Sequence, residues 1–192
     1  MKPLHSTIVA LAFVATALGA QATPAAPAPA PNAADVSFMQ GMIMHHGQAI
    51  EMVALIGART TNPVLRSLGE RIDVSQKDDI TMMRRWLHDH HVPASEQAGM
   101  DMGDHVMLMP GMLTAAQMTA LAKARGAEFD RLFLTGMIQH HEGAVTMVKE
   151  LFATTGAAQP TDIFRFASDV DADQRAEITR MRALLAAKAR RK

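Results

Sequence analysis

From Asp35 onward the apolar positions fall in helical period. Phe38, Met42, His45, Ala49, Met52 and Ile56 follow one another at spacings of 4, 3, 4, 3 and 4, the seam of a core-facing helix. A neighbouring stripe, Met39, Ile43, His46, Ile50 and Val53, is also apolar apart from its histidine. The seam returns as Phe133, Met137, His140, Ala144, Met147 and Leu151. Caps around these seams predict four helices. The first runs from an Asp35 cap to about Ala58, and the second opens at Asn62-Pro63, an N-cap with proline at the first helical position, and runs to about His88. Thr114 and Gln117 form a capping box for a third region, which breaks at Gly126 and continues from Ala127 to about Ala153. The fourth follows Pro160 and ends near Ala189.

The two seams belong to an internal repeat. "DVSFMQGMIMHHGQAIEMV" (35–53) and "DRLFLTGMIQHHEGAVTMV" (130–148) are identical at ten of 19 positions. The likeness resumes weakly where "QKDDITMMRRWL" (76–87) is laid over "QRAEITRMRALL" (174–185). Each half reads as a helical hairpin that cannot bury its apolar face alone and packs on its twin. The expected fold is all-α, an antiparallel four-helix bundle over 35–190, with repeat one at 35–90, repeat two at 114–190 and a Met/His-rich connection at 91–113. Composition agrees with helices: aromatic residues are 4% of the 192, tyrosine is absent, and there are 16 methionines.

The segment before the bundle is of another kind. "MKPLHSTIVALAFVATALGAQA" has an early lysine, an apolar run over 8–18 and a small-x-small ending, the pattern of a signal peptide cut after Ala22. A Pro/Ala-rich linker follows at 23–34, and no later stretch has the ~20 uncharged apolar residues of a membrane span. A periplasmic or secreted location is expected. Net charge is zero and the sequence pI about 7.1, which argues against nucleic acid as a partner. With no cysteine, disulfides and thiolate metal sites are both excluded, so any soft-metal chemistry must use methionine and histidine.

His45, His46, His140 and His141 therefore need an explanation. One reading makes them core histidines satisfied by Gln76 with Asp79 and by Gln174 with Glu177 on the facing helices. The other makes them metal ligands. Two features favour the second: the pair occurs twice in equivalent places, and each comes with a methionine one turn before and another two turns after, Met42 with Met52 and Met137 with Met147. Burying four imidazoles without partners is costly.

A second cluster, "GMDMGDHVMLMPGM" (99–112), carries Met100, Met102, His105, Met107, Met109 and Met112 without helical amphipathicity. Thioether sulfur is a soft, neutral donor that prefers Cu(I) and Ag(I), while imidazole extends the range to Cu(II) and Zn(II). Having no proton to lose, it also keeps its ligand character in mild acid. The competing reading is a loop whose methionines clamp over the mouth of the bundle. "HDHH" at 88–91 carries little weight, because histidines at a helix end also complement the dipole.

"GMIQHHEGAVTMV", "MPGMLTAAQM" with "GAEFDRLFLTGM", and the Gln-x-x-Glu-Ile-x-x-Met element at 174–181 resemble the domain-of-unknown-function family 305, a group with ferritin-like helical bundles. The resemblance covers 35–185. Some members are periplasmic or secreted copper-binding proteins, and the resemblance implies that role for Met42, His45, His46, Met52, Met137, His140, His141 and Met147. Two places depart from the repeat: Gly47-Gln48 stands for Glu142-Gly143, and Asp79 for Glu177.

Other chemistries fit poorly. A di-iron site needs Glu-x-x-His spacing, and methionine occupies positions 42 and 137. "DVDADQ" (169–174) lacks the glycine and glutamate of a calcium loop and reads as a charged helix face. No Ser or Cys nucleophile motif, phosphate loop or zinc-protease signature is present. The expected function is non-enzymatic binding of Cu(I), or Ag(I), through Met and His for sequestration, resistance or delivery, with a copper-trafficking protein or a second copy of the chain as candidate partners. The alternatives are a cell-envelope interaction module with structural His pairs and a copper-dependent oxidase.

Overall fold

The computed structural model describes residues 31–94 and 108–190. The signal-peptide segment, linker residues 23–30, and Met100, Met102, His105 and Met107 lie outside them. Among the described residues the fold is all-helical: α1 (Ala33–Ala54), α2 (Ile56–Arg59), α3 (Pro63–Asp89), α4 (Ala115–Lys123), α5 (Gly126–Ala153) and α6 (Thr161–Ala189). No helix among these residues is long and apolar enough to cross a membrane.

Side-chain caps set the starts of α1, α3 and α4. Asn62 Oδ1 accepts from the Val64 amide at 3.1 Å with Pro63 opening the helix, and Thr114 and Gln117 form the reciprocal box that starts α4. Gly126 takes φ +53, a left-handed conformation that glycine adopts without steric cost, as the chain turns from α4 into α5. "DVDADQ" lies within α6, where Asp171 pairs with Arg175 one turn on. Two details depart from expectation. The first helix begins earlier, with Asn32 as its cap (Oδ1 accepting from the Ala34 amide at 2.8 Å), and it breaks at Leu55 before the single turn of α2. Asp35 is not a cap because its buried carboxylate is used elsewhere, accepting from the Ala158 amide at 2.7 Å in the turn between α5 and α6. Asp130, its repeat counterpart, accepts from Asn62 Nδ2 at 2.8 Å in the turn between α2 and α3. Each hairpin's first long helix thus ties down the other hairpin's turn.

α1 packs along α3, α5 along α6, and α1 against α5 joins the two hairpins. Gly41 faces Met147 while Gly136 faces Met52, so α1 and α5 run antiparallel. The core forms two apolar clusters. One joins Phe38, Met42, Met83, Trp86, Val148 and Phe166, and the other Met52, Leu68, Ile72, Phe133, Met137 and Met181. In the first, Trp86 stacks on His90 and its Nε1 donates to Asp162 Oδ2 at 2.9 Å, pinning the end of α3 to the start of α6.

Candidate metal centre

Between the two clusters lies a buried polar layer. The 3.6-residue period that makes the α1 seam apolar places His45 and His46 side by side at mid-helix, and α5 does the same with His140 and His141. Antiparallel packing brings the repeats face to face: the His45 and His140 rings are 3.8 Å apart between centroids. All four imidazoles are buried.

Each ring is held by one nitrogen. His45 Nε2 donates to the Pro110 carbonyl at 2.9 Å, and His140 Nε2 to the carbonyl of His45 at 2.8 Å. His46 Nε2 lies 3.1 Å from Asp79 Oδ2, and His141 Nε2 2.5 Å from Glu177 Oε2. The Nδ1 atoms of all four are buried with no partner. Carbonyl oxygen only accepts, so in His45 and His140 the ring proton sits on Nε2 and the Nδ1 lone pair is left free. Burial, then the neighbouring His46, lowers the His45 pKa to about 3. His140 falls well below its ordinary value by burial and then by His45. Burial also lowers His46, against the opposing pull of Asp79. These three rings are neutral, as a metal ligand must be.

The two half-sites are not copies. The Asp79 side chain is 30% exposed and that of Glu177 13%, so the second pair is the more enclosed. Partial burial, followed by Asp79, Glu177 and Asp169, raises the pKa of Asp173, so acidic groups of both hairpins converge beside the layer. Gln76 and Gln174, expected as imidazole partners, are not: both are buried, with both amide atoms of Gln76 and Oε1 of Gln174 unpaired. The carboxylates of Asp79 and Glu177, expected with them at i, i+3 along α3 and α6, do reach the rings.

The chain at 110–113 closes over the His45 end. Gly143 makes this approach feasible, because a Cβ there would lie 1.9 Å from the Pro110 oxygen. Gly111, at φ +76, is as constrained, since a Cβ on it would lie 2.4 Å from the Gln139 oxygen and 2.6 Å from the Gly143 Cα. At the repeat-equivalent position, Gln48 clamps Leu113 by two bonds, Leu113 N–H to Oε1 at 2.7 Å and Nε2 to the Leu113 carbonyl at 3.0 Å. The Gly47-Gln48 and Glu142-Gly143 difference therefore seats one strap of chain across two helices.

The expected methionines divide. Met42 and Met147 are buried in the first apolar cluster with Met109 packed against it, and Met52 and Met137 in the second. Thioethers thus stand on both sides of the histidine layer. Met109 Sδ and the Met147 methyl both lie beside Gly41. Met112 sits apart, in a groove on α1. His88, His90 and His91 close the end of α3, with His90 on Trp86, and do not join the layer. Among the described residues no group of three or more His, Asp or Glu side chains is placed to hold a metal. The donors standing in and beside the layer are imidazole and thioether. Pro110 was not foreseeable as a partner, since its contribution is a backbone oxygen 65 residues from His45.

The family described as Domain of unknown function (DUF305) matches residues 35–185. A DUF305 protein from Streptomyces coelicolor, whose name marks it as a candidate secreted protein, has 31% identity and a TM-score of 0.70, over 81% of this chain and 94% of its own. A DUF305 fragment from Deinococcus radiodurans has 28% identity and a TM-score of 0.71, over 82% and 99%. CopM in its Cu(II)-bound form has 30% identity and a TM-score of 0.63, over 78% and 94%, and CopM structures with Cu(I) and with Ag are also similar to this chain. No curated protein matches.

Proposed function

The chain belongs to the DUF305 family, and from that premise we propose that it is an exported protein that binds Cu(I), and by the same softness Ag(I), for sequestration or delivery. The similarity to CopM, solved with copper and silver, supports a copper-related role. The observation that carries the finer reading is the set of four buried Nδ1 atoms without partners, on rings whose Nε2 atoms are fixed by carbonyl or carboxylate oxygen. That is the arrangement a metal-ligating histidine adopts, one nitrogen oriented by an acceptor and the other free for the ion. Neutral imidazoles and buried thioethers make a donor set suited to a monovalent soft ion and poor for hard ones. Met42, His45, His46, Met52, Met137, His140, His141 and Met147 would supply ligands. Met109 and the methionines at 100, 102 and 107 would provide soft donors for first capture.

The role is binding rather than catalysis. The test is anaerobic titration with Cu(I) against a chromophoric chelator, with Cu(II) and Zn(II) alongside. Tight cuprous binding with weak zinc binding is expected. Changing His45 and His140 together to Ala should weaken it at least tenfold more than changing His88 and His91 to Ala, with helicity checked by circular dichroism. Equal effects in the two variants would make the layer structural.

A further inference from the structure

A groove of about 460 Å³ runs between α1, α3 and the chain at 108–118. Three residues lining it are methionines, Met44, Met112 and Met118, each half-buried. Leu108 and Ile80 add apolar wall, and the two charged residues, Glu51 and Arg84, are of opposite sign, so the groove's binding character rests on its sulfurs. Core packing does not account for these thioethers, since Met44 and Met112 belong to neither apolar cluster and Met118 only borders the second. Their backbones are fixed. Met44 lies within α1, Met118 within α4, and the Met112 carbonyl accepts from Gln139 Nε2 at 3.4 Å beside the clamped Leu113. The side chains keep the rotational freedom of an unbranched thioether, so fixed stems carry adaptable donors. The repeat counterpart of Met44 is Gln139, which spends its amide on the 111–112 carbonyls, so the second hairpin offers no thioether there.

We propose that this groove is a separate soft-metal site, in which Met44, Met112 and Met118 together take one monovalent ion and supply it to the histidine layer. The inference rests on the copper reading of that layer. Three neutral sulfurs favour Cu(I) or Ag(I) over Zn(II). Position favours supply: Met44 precedes His45 in α1, and Met112 follows by two residues the Pro110 carbonyl that holds the His45 ring.

The probe is Ag(I), which stays monovalent in air, added to the full chain labelled with ¹³C at the methionine methyls. The Met44, Met112 and Met118 resonances should shift together with one equivalent of ion. Changing all three to Leu, which keeps size and apolarity, should remove one equivalent while helicity and the response of Met42 and Met137 persist. Groove resonances that stay still while those of Met42 and Met137 move would overturn the groove site and leave the layer standing. Unchanged stoichiometry in the Leu variant would overturn it as well. Silence from every methionine would refute both sites.

Discussion

At Gly143 the absence of one carbon decides where a carbonyl can lie. A Cβ would meet the Pro110 oxygen at 1.9 Å, well inside any tolerable contact, so Gly143→Ala must push the 110–111 segment away and take the acceptor from His45 Nε2. The expected loss is about 2 kcal/mol from crowding and a broken buried hydrogen bond. Urea denaturation of the metal-free protein measures it; a loss below a few tenths would mean the strap does not bear on the ring. Histidine pairs on a seam were legible as sequence because the helical period is. Which polar neighbour meets each ring was not, since i, i+3 spacing on α3 and α6 puts glutamine and carboxylate on one face. The carboxylates bond the rings and the glutamines do not.

For the elements, cap chemistry foretold the starts of α3 and α4 and the break before α5, where a single side chain or a glycine decides the outcome locally. It failed at α1. Asp35 has the chemistry of a cap, yet a tertiary hydrogen bond to Ala158 outcompetes that use, and Asn32 at the end of the Pro/Ala tract takes the place. Spacing along one helix cannot reveal a bond to a turn 123 residues away. Asp35→Ala and Asp130→Ala should each cost about 1–3 kcal/mol, because each strands a polar group of the opposite turn. Thermal unfolding of the two single variants checks this. A neutral result for either would show that its turn holds without the tie.

Across the whole molecule, the repeat led to the expectation that each hairpin packs on its twin, but not that the two histidine seams meet, which the structure shows where His45 lies against His140. The strap at 110–113 stayed hidden because Met, Gly and Pro in irregular order carry no period. The buried layer also sets how stability follows acidity. His45, His46 and His140 have folded pKa values below 6.5, His45 at about 3, so the unfolded chain takes up protons first as pH falls. Their contribution is intact above about pH 6.5 and declines below it, each ring giving a slope of up to about 1.4 kcal/mol per pH unit. The melting temperature of the metal-free protein should therefore drop between pH 7.5 and 5. An unchanged one would mean the rings are solvated. Bound metal should blunt the fall, since it competes with protons for the same nitrogen lone pairs.

The indole pinned between α3 and α6 also has an optical consequence. The chain contains one tryptophan and no tyrosine, so Trp86 accounts for nearly all its near-ultraviolet emission. That light comes from the seam between the two hairpins, where the indole stacks on one ring and donates to Asp162. Ordinary unlabelled protein thus reports through a single chromophore whether its halves are joined.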